Sequence, residues 1–232
     1  MISYICLDTE TTGLTENDKI VQLSWITKIN DRLSFKHDYI IKVEIEIKNS
    51  HIHGITNEIS QEKGKSLEWV LNLLQEEIET CKPTLLVGHN IIFDKKMLIY
   101  NTVNDSFINS LNSLQMYCTM LNGKYFLKQK KYPKLQELYF SLFNENFENA
   151  HNSLYDVQAT CKCYEKLQFQ QQFILDYLFS KIITFGKYKS KTIKYVYDTD
   201  LDYLTNFIYN NFNKNRDIWQ DVNFIKNFTL LK

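Results

Sequence analysis

The sequence predicts an α/β domain built on a mixed β-sheet, and three features point there. A short apolar run near the start, Ile2 to Leu7, ends in carboxylates. Two more strand-like runs follow with short connections, which argues for an antiparallel meander. Amphipathic helical patterns then alternate with one short apolar run, in the order βββαβα followed by helices, as in mixed α/β folds. With 232 residues, 44% hydrophobic and 23% charged, the chain can bury one sizeable core and still supply a small second module.

Taken in order, Ile2 to Leu7 reads as a buried strand delivering its C-terminal end to a site. Lys19 to Ile29 and Leu33 to Val43 are the next strands, the second alternating in part through Phe35, Tyr39 and Ile41. Ser66 to Cys81 is an amphipathic helix: Leu67, Val70, Leu71, Leu74 and Ile78 fall at helical spacing, with Ser66 as N-cap. Pro83 separates it from a buried strand, Thr84 to Gly88, and a helix beginning near Asn90 carries Phe93, Met97 and Leu98. Pro133 opens a helix containing Leu135, Leu138, Tyr139 and Leu142. A longer helix starts soon after His151 and runs past Cys163 towards Gln172, with Gln168 to Gln172 as a solvated face. After Ser180 the character changes. Phe185 to Lys191 is a basic, glycine-containing turn between short strand-like runs, followed by helices around Leu201 to Asn211 and Asp217 to Phe228. The expected division is one domain over 1–180 and a small C-terminal α/β module over 181–232.

Lys plus Arg and Asp plus Glu are both 27, so the molecule as a whole is no polycation. The balance is uneven, however: residues 181–232 hold nine Lys or Arg against five Asp. That end is the better candidate for touching a nucleic-acid backbone. No apolar run reaches 18 residues, so no membrane span is expected. The first ten residues lack a basic stretch and already carry Asp8 and Glu10, so no secretory leader is expected. Five cysteines without a CxxC pair read as reduced thiols in a cytoplasmic setting.

Asp8 and Glu10 stand two apart at the end of the first strand, which points both carboxylates to one side of the sheet. Like charges so placed repel and raise each other's pKa unless a cation lies between them. The turn that follows, Thr11-Thr12-Gly13-Leu14, can offer backbone groups to a ligand. Asp94 falls where a buried strand turns into a helix, a place the helix dipole also favours. His151 lies at the entrance of the long helix, with Asp156 a little over one turn later. A His-x-His at His51 and His53 lacks a soft third ligand and is not read as a metal pair.

Asp8, Glu10, Asp94, His151 and Asp156, in this order and in these contexts, resemble the DEDDh group of the DnaQ-like 3′→5′ exonucleases. LDTETTGL, HGIT from His53 to Thr56, GHNIIFD, PKLQELY and AHNSLYDVQAT match that style over roughly residues 2–170. Within the superfamily the chain looks most similar to the exonuclease X and ribonuclease T neighbourhood. The tail FGKYKSKTI with Tyr203-Leu204 resembles the short module that follows some exonuclease-X-like domains.

The resemblance implies a ribonuclease-H-like mixed five-stranded sheet flanked by helices. It also implies hydrolysis that releases nucleoside 5′-monophosphates from a 3′ end. Four carboxylates, Asp8, Glu10, Asp94 and Asp156, would hold two divalent cations, with Asp8 as the bridge. Oxygen-only ligands favour Mg²⁺ or Mn²⁺. His151 would be the general base, because its ordinary pKa lies near operating pH. The tyrosine variant of the family places Tyr four residues before the last Asp; here that position is Asn152. Substrate contacts implied are Thr11, Thr12, Gly13 and Leu14 around the terminal nucleotide, His53, Gly54 and Ile55 from an opposite loop, and Asn90 and Phe93 shaping the pocket. Single-stranded DNA is the first expected substrate, in repair or proofreading. RNA 3′-end trimming is the alternative, and a catalytically silent nucleic-acid-binding scaffold on the same fold is the rival from another class. A homodimer is compatible with the resemblance, since ribonuclease-T-like relatives pair to complete a site.

Overall fold

A computed structural model describes residues 3–29, 33–147, 152–208 and 216–229. The chain divides into two compact units, one of Met1–Lys124 with Lys130–Gln168 and one of Tyr125–Gln129 with Phe169–Lys232.

The first unit is built on a five-stranded sheet of order β3-β2-β1-β4-β5. Its strands are β1 (Tyr4–Thr11), β2 (Ile20–Ile29), β3 (Leu33–Ile40), β4 (Leu85–Gly88) and β5 (Gln115–Cys118). The first three form the expected antiparallel meander, with Tyr4 opposite Lys28 and Trp25 opposite His37. β1–β4 and β4–β5 are parallel, so the sheet is mixed. Its helices are α1 (Ser50–His53), α2 (Asn57–Lys63), α3 (Leu67–Cys81), α4 (Ile91–Tyr100), α5 (Asp105–Ser113), α6 (Thr119–Phe126, which runs on into the second unit), α7 (Leu135–Phe143) and α8 (Ser153–Gln168). Helix α3 starts as its sequence predicts: the Ser66 hydroxyl accepts the Trp69 N–H, and Val70, Leu71, Leu74 and Ile78 are its buried residues.

Alternation along β1 sends side chains to two cores. Ile5 and Leu7 join the larger one with Leu74, Leu86 and Leu98. Tyr4 and Cys6 face the other, where Val157, Cys161 and Tyr164 of α8 cover the sheet at helical spacing. Each fully buried large apolar side chain contributes about 1.5–3 kcal/mol relative to exposure. The α8 stripe therefore fixes that helix firmly over the face on which Asp8 and Glu10 follow Tyr4 and Cys6.

The second unit contains α9 (Gln171–Ser180), α10 (Ile193–Thr199), a π-helix (Tyr203–Ile208) and α11 (Arg216–Thr229). Ile174, Leu178, Ile183, Ile193, Val196, Leu204, Val222 and Ile225 are buried in it. Three expectations are corrected here. The long helix expected to reach Gln172 stops at Gln168, and α9 is a separate element. The second unit takes in Phe169–Lys232 together with Tyr125–Gln129, so its limits differ from the expected division at 180. The expected α/β character of the C-terminal module is not found among the described residues, where the helices are joined by a loop over 181–192 whose only ladder pairing is a single bridge, Ile182↔Thr192. The strand-like runs on either side of the basic turn are too short to pair beyond that bridge, and the second passes at once into α10. The reading of a helix over Leu201 to Asn211 extends past the described residues.

Candidate active site

The site is assembled at the C-terminal end of β1. Pairing of β1 with β4 ends at Cys6↔Val87, because the chain leaves β4 at Gly88 and turns through His89 and Asn90 into α4. Beyond that point β1 has no strand on this side, and Asp94 takes over. Its Oδ1 accepts the Thr9 backbone N–H at 3.0 Å and the Thr9 hydroxyl at 2.8 Å. Asp94 is thus a buried residue of the first turn of α4 that ties helix to strand. The helix is opened by Asn90, held in the left-handed region at φ 78° with no side-chain cap.

From the other face, α8 is fastened to β1 by the Ser153 hydroxyl, which donates to the Asp8 backbone carbonyl at 2.8 Å. That contact brings Asp156 onto the same patch. Ligand oxygens of Asp8, Glu10 and Asp156 all lie within 4.8 Å of one another. Three of the four expected carboxylates therefore converge, and the fourth, Asp94, stands close enough for its charge to raise the pKa of both Asp8 and Glu10. His151 lies outside the described residues.

Burial and crowding dominate the electrostatics. Burial, then Asp94, Asp156 and Glu10, push the Asp8 carboxyl well above its ordinary range, against a lowering effect of the Ser153 hydroxyl. Burial, then Asp156 and Asp94, raise Glu10 to about 8. Burial raises Asp94 to about 7, in spite of the two Thr9 hydrogen bonds. Carboxylates so crowded suit a divalent cation, whose charge removes the repulsion, and an all-oxygen donor set suits Mg²⁺ or Mn²⁺.

The loop after β1 is rigid. The register against β2 shifts between Glu10 and Thr11, a bulge of the kind that re-aims side chains at strand ends. Thr11 is buried and donates its hydroxyl to the Gly13 carbonyl at 2.6 Å. Its own carbonyl accepts from Asn49 Nδ2 at 2.7 Å. The Thr12 hydroxyl donates to Asp18 Oδ1 and accepts from the Lys19 N–H, and Asp18 Oδ2 accepts the N–H and hydroxyl of Thr15. A Cβ on Gly13 would lie 2.5 Å from Asp18 Oδ1, so a larger residue there would push the Asp18 carboxylate from its place beside Thr12 and Thr15. The side chains of Thr11 and Thr12 thus build the turn, and Leu14, 83% exposed, projects from it. Leu14, Asn90 and Phe93 line one cleft of about 550 Å³, together with Ile92, Lys96 and Tyr100, which the sequence reading did not single out.

On the opposite loop, Gly54 ends α1 with φ 78°. His53 is buried; its Nδ1 accepts the Ile55 N–H at 3.2 Å, and its Nε2 is buried with no hydrogen-bond partner among the described residues. Ile55, expected among the substrate contacts, is buried and packs into the larger core. Among the described residues no third ligand joins His51 and His53. Sequence reasoning also missed Thr9, Ser153 and His89. The His89 ring is held by Thr119 Oγ1 at Nδ1 and the Pro133 carbonyl at Nε2, each at 3.0 Å, and burial lowers its pKa to about 4. It anchors the turn from which α4, and with it Asp94, departs.

The fold is thus a mixed sheet of order β3-β2-β1-β4-β5 with carboxylates converging at the end of its first strand. The family follows from sequence: the exonuclease family model matches residues 5–164, and the chain belongs to that family, within the DnaQ-like 3′→5′ exonuclease superfamily. No curated protein matches the sequence significantly. Among solved structures, E. coli exonuclease I in complex with a dT13 oligonucleotide aligns with a TM-score of 0.62 at 19% identity, covering 78% of this chain and 44% of that one. An exonuclease I from Methylocaldum szegediense aligns with a TM-score of 0.60 at 18% identity, covering 77% and 43%. Exonuclease X in complex with 5′ overhanging duplex DNA aligns with a TM-score of 0.53 at 20% identity, covering 73% and 92%. The chain spans less than half the length of the exonuclease I chains, and these likenesses show the fold.

Proposed function

We propose that this protein removes nucleoside 5′-monophosphates from the 3′ end of single-stranded DNA with two Mg²⁺ or Mn²⁺ ions, in repair or proofreading. The observation that carries the reading is the convergence of Asp8, Glu10 and Asp156, with Asp94 beside them, on a chain of the exonuclease family. Asp8, Glu10, Asp94 and Asp156 would hold the ions, which when bound supply charge neutralisation and activation of the attacking water. Thr9 and Ser153 keep Asp94 and β1 in place for that task. His151 is assigned as the base that takes the proton from the water, on its position in the sequence. Leu14, Asn90 and Phe93 would seat the terminal nucleotide in the cleft they line. Thr12 and Gly13 would present the turn to it. The buried Nε2 of His53, without a hydrogen-bond partner among the described residues, suits a contact to the strand end beside Gly54.

DNA is favoured because the exonuclease I and exonuclease X neighbours are seen with DNA strands. Sequence-tolerant stacking in an open cleft would give little base preference. All five cysteines are free thiols, which supports placing the enzyme in a reducing, cytoplasmic setting. The substrate assignment is tested by competition between matched 5′-labelled DNA and RNA single strands with Mg²⁺. Faster shortening of DNA is expected; faster shortening of RNA would move the enzyme to RNA trimming, with the fold and chemistry unchanged.

A further inference from the structure

The second unit lies almost entirely outside the residues matched by the exonuclease family model, and it carries a concentrated positive surface. Four lysines fall within eight residues, Lys187, Lys189, Lys191 and Lys194, and all four are exposed. Two carboxylates answer two of them: Asp200 pairs with Lys187 at 3.1 Å and Asp198 with Lys194 at 2.7 Å. Among the described residues, no carboxylate pairs with Lys189 or Lys191.

The loop that bears these charges is stiff. The bridge Ile182↔Thr192 closes its base, and the Ser190 N–H donates to the Ile183 carbonyl. Gly186 and Ser190 take the left-handed conformation, at φ 71° and 70°, to make the turn. Tyr188 pins the tip from beneath, donating its hydroxyl to Asp200 at 2.8 Å and packing edge-on against Tyr203. Lys191 rests over the Tyr195 ring at 5.1 Å, and that ring is 46% exposed. The Lys191 ammonium itself lies over the ring as a cation–π contact, which leaves it at the exposed surface of the loop.

We infer that this loop and the start of α10 form a second nucleic-acid contact, a surface for the phosphodiester backbone of the strand whose 3′ end is being degraded. The inference rests on the exonuclease reading. Flexible lysine point charges, without arginine forks, suit phosphates at irregular positions and carry no sequence preference. The exposed tyrosine beside them adds a face on which a base can stack. An acidic polypeptide would satisfy the charge but not the aromatic face.

The test uses the full chain and the double variant Lys189→Ala/Lys191→Ala, both positions being exposed and outside the core. Binding of fluorescent (dT)20 in EDTA is followed by anisotropy across a salt series. Hydrolysis of thymidine 5′-(4-nitrophenyl phosphate) with Mn²⁺ reads the catalytic unit separately. Removing two phosphate contacts should make the slope of log Kd against log salt shallower by about 1.4, with ester hydrolysis unchanged. An unchanged slope and Kd, with the wild type active, would overturn the inference while leaving the exonuclease reading intact. A variant that loses binding to polyglutamate but keeps its (dT)20 slope would assign the surface to an acidic protein partner and overturn it too. Wild-type protein that cleaves neither the ester nor an oligonucleotide would instead remove the reading on which the inference stands.

Discussion

Three carboxylates with oxygens within 4.8 Å of one another, and a fourth beside them, are a costly arrangement for a protein that has nothing to put between them. The cost has a definite sign. Glu10 is raised to about 8 from an ordinary 4.5, so between those values the folded, metal-free protein binds a proton that the unfolded chain has released. That contribution to stability is present at low pH and is lost as pH rises through about 8. Glu10→Gln removes the titration. Its Tm in EDTA should therefore gain on wild type as pH goes from 5 to 8; a difference independent of pH in thermal melts would contradict the electrostatic account. Asp8→Asn should leave the fold intact and lower cleavage by at least about 10²–10³-fold, the scale for losing one preorganised stabilising group. His89 works at one remove. In His89→Phe the buried Pro133 carbonyl loses its N–H partner, which costs about 1–3 kcal/mol and should appear as a lower Tm in metal-free protein.

At the scale of elements, the site depends on β1 outrunning β4. The unpaired edge so created is what Asp94 fills through Thr9. Thr9→Val keeps the backbone bond and deletes the hydroxyl. Metal affinity should fall by about 10–100-fold, as when a supporting partner of a ligand is removed, read by calorimetric titration with Mn²⁺. Asp8 and Glu10 were legible as a pair because strand alternation alone places them on one face. Asp94 could be nominated, but its bond to Thr9 could not, since it depends on where β4 stops. β5 was implied only through the family resemblance: it has four residues, of which Gln115 and Met116 are exposed, so it carries no apolar signal. The break between α8 and α9 was hidden for the opposite reason. Leu167, Gln171, Leu175 and Leu178 keep helical phase across it, with neither Pro nor Gly to mark the interruption. Ile55 belongs to a motif whose pattern does not show that its side chain also serves the core.

For the whole molecule, an overall charge near zero hides a division of labour in which an acidic cluster belongs to one unit and a lysine-rich loop to the other. A divalent ion held by the acidic cluster, as proposed, would stabilise the native state, because the unfolded chain would bind it poorly. Mn²⁺ at a hundred times its Kd should add about 2.7 kcal/mol; a Tm that ignores the metal would point to the silent-scaffold alternative. The carboxylate cluster is proposed to cleave nucleic acid from the 3′ end in a metal-dependent way. Single-stranded DNA labelled at its 5′ end, incubated with wild-type protein and Mn²⁺, tests it most directly. A ladder of products shortening one nucleotide at a time from the 3′ end, absent with EDTA and absent in Asp8→Asn, is predicted. Intact DNA in every lane, or a ladder that persists unchanged in Asp8→Asn, would contradict it.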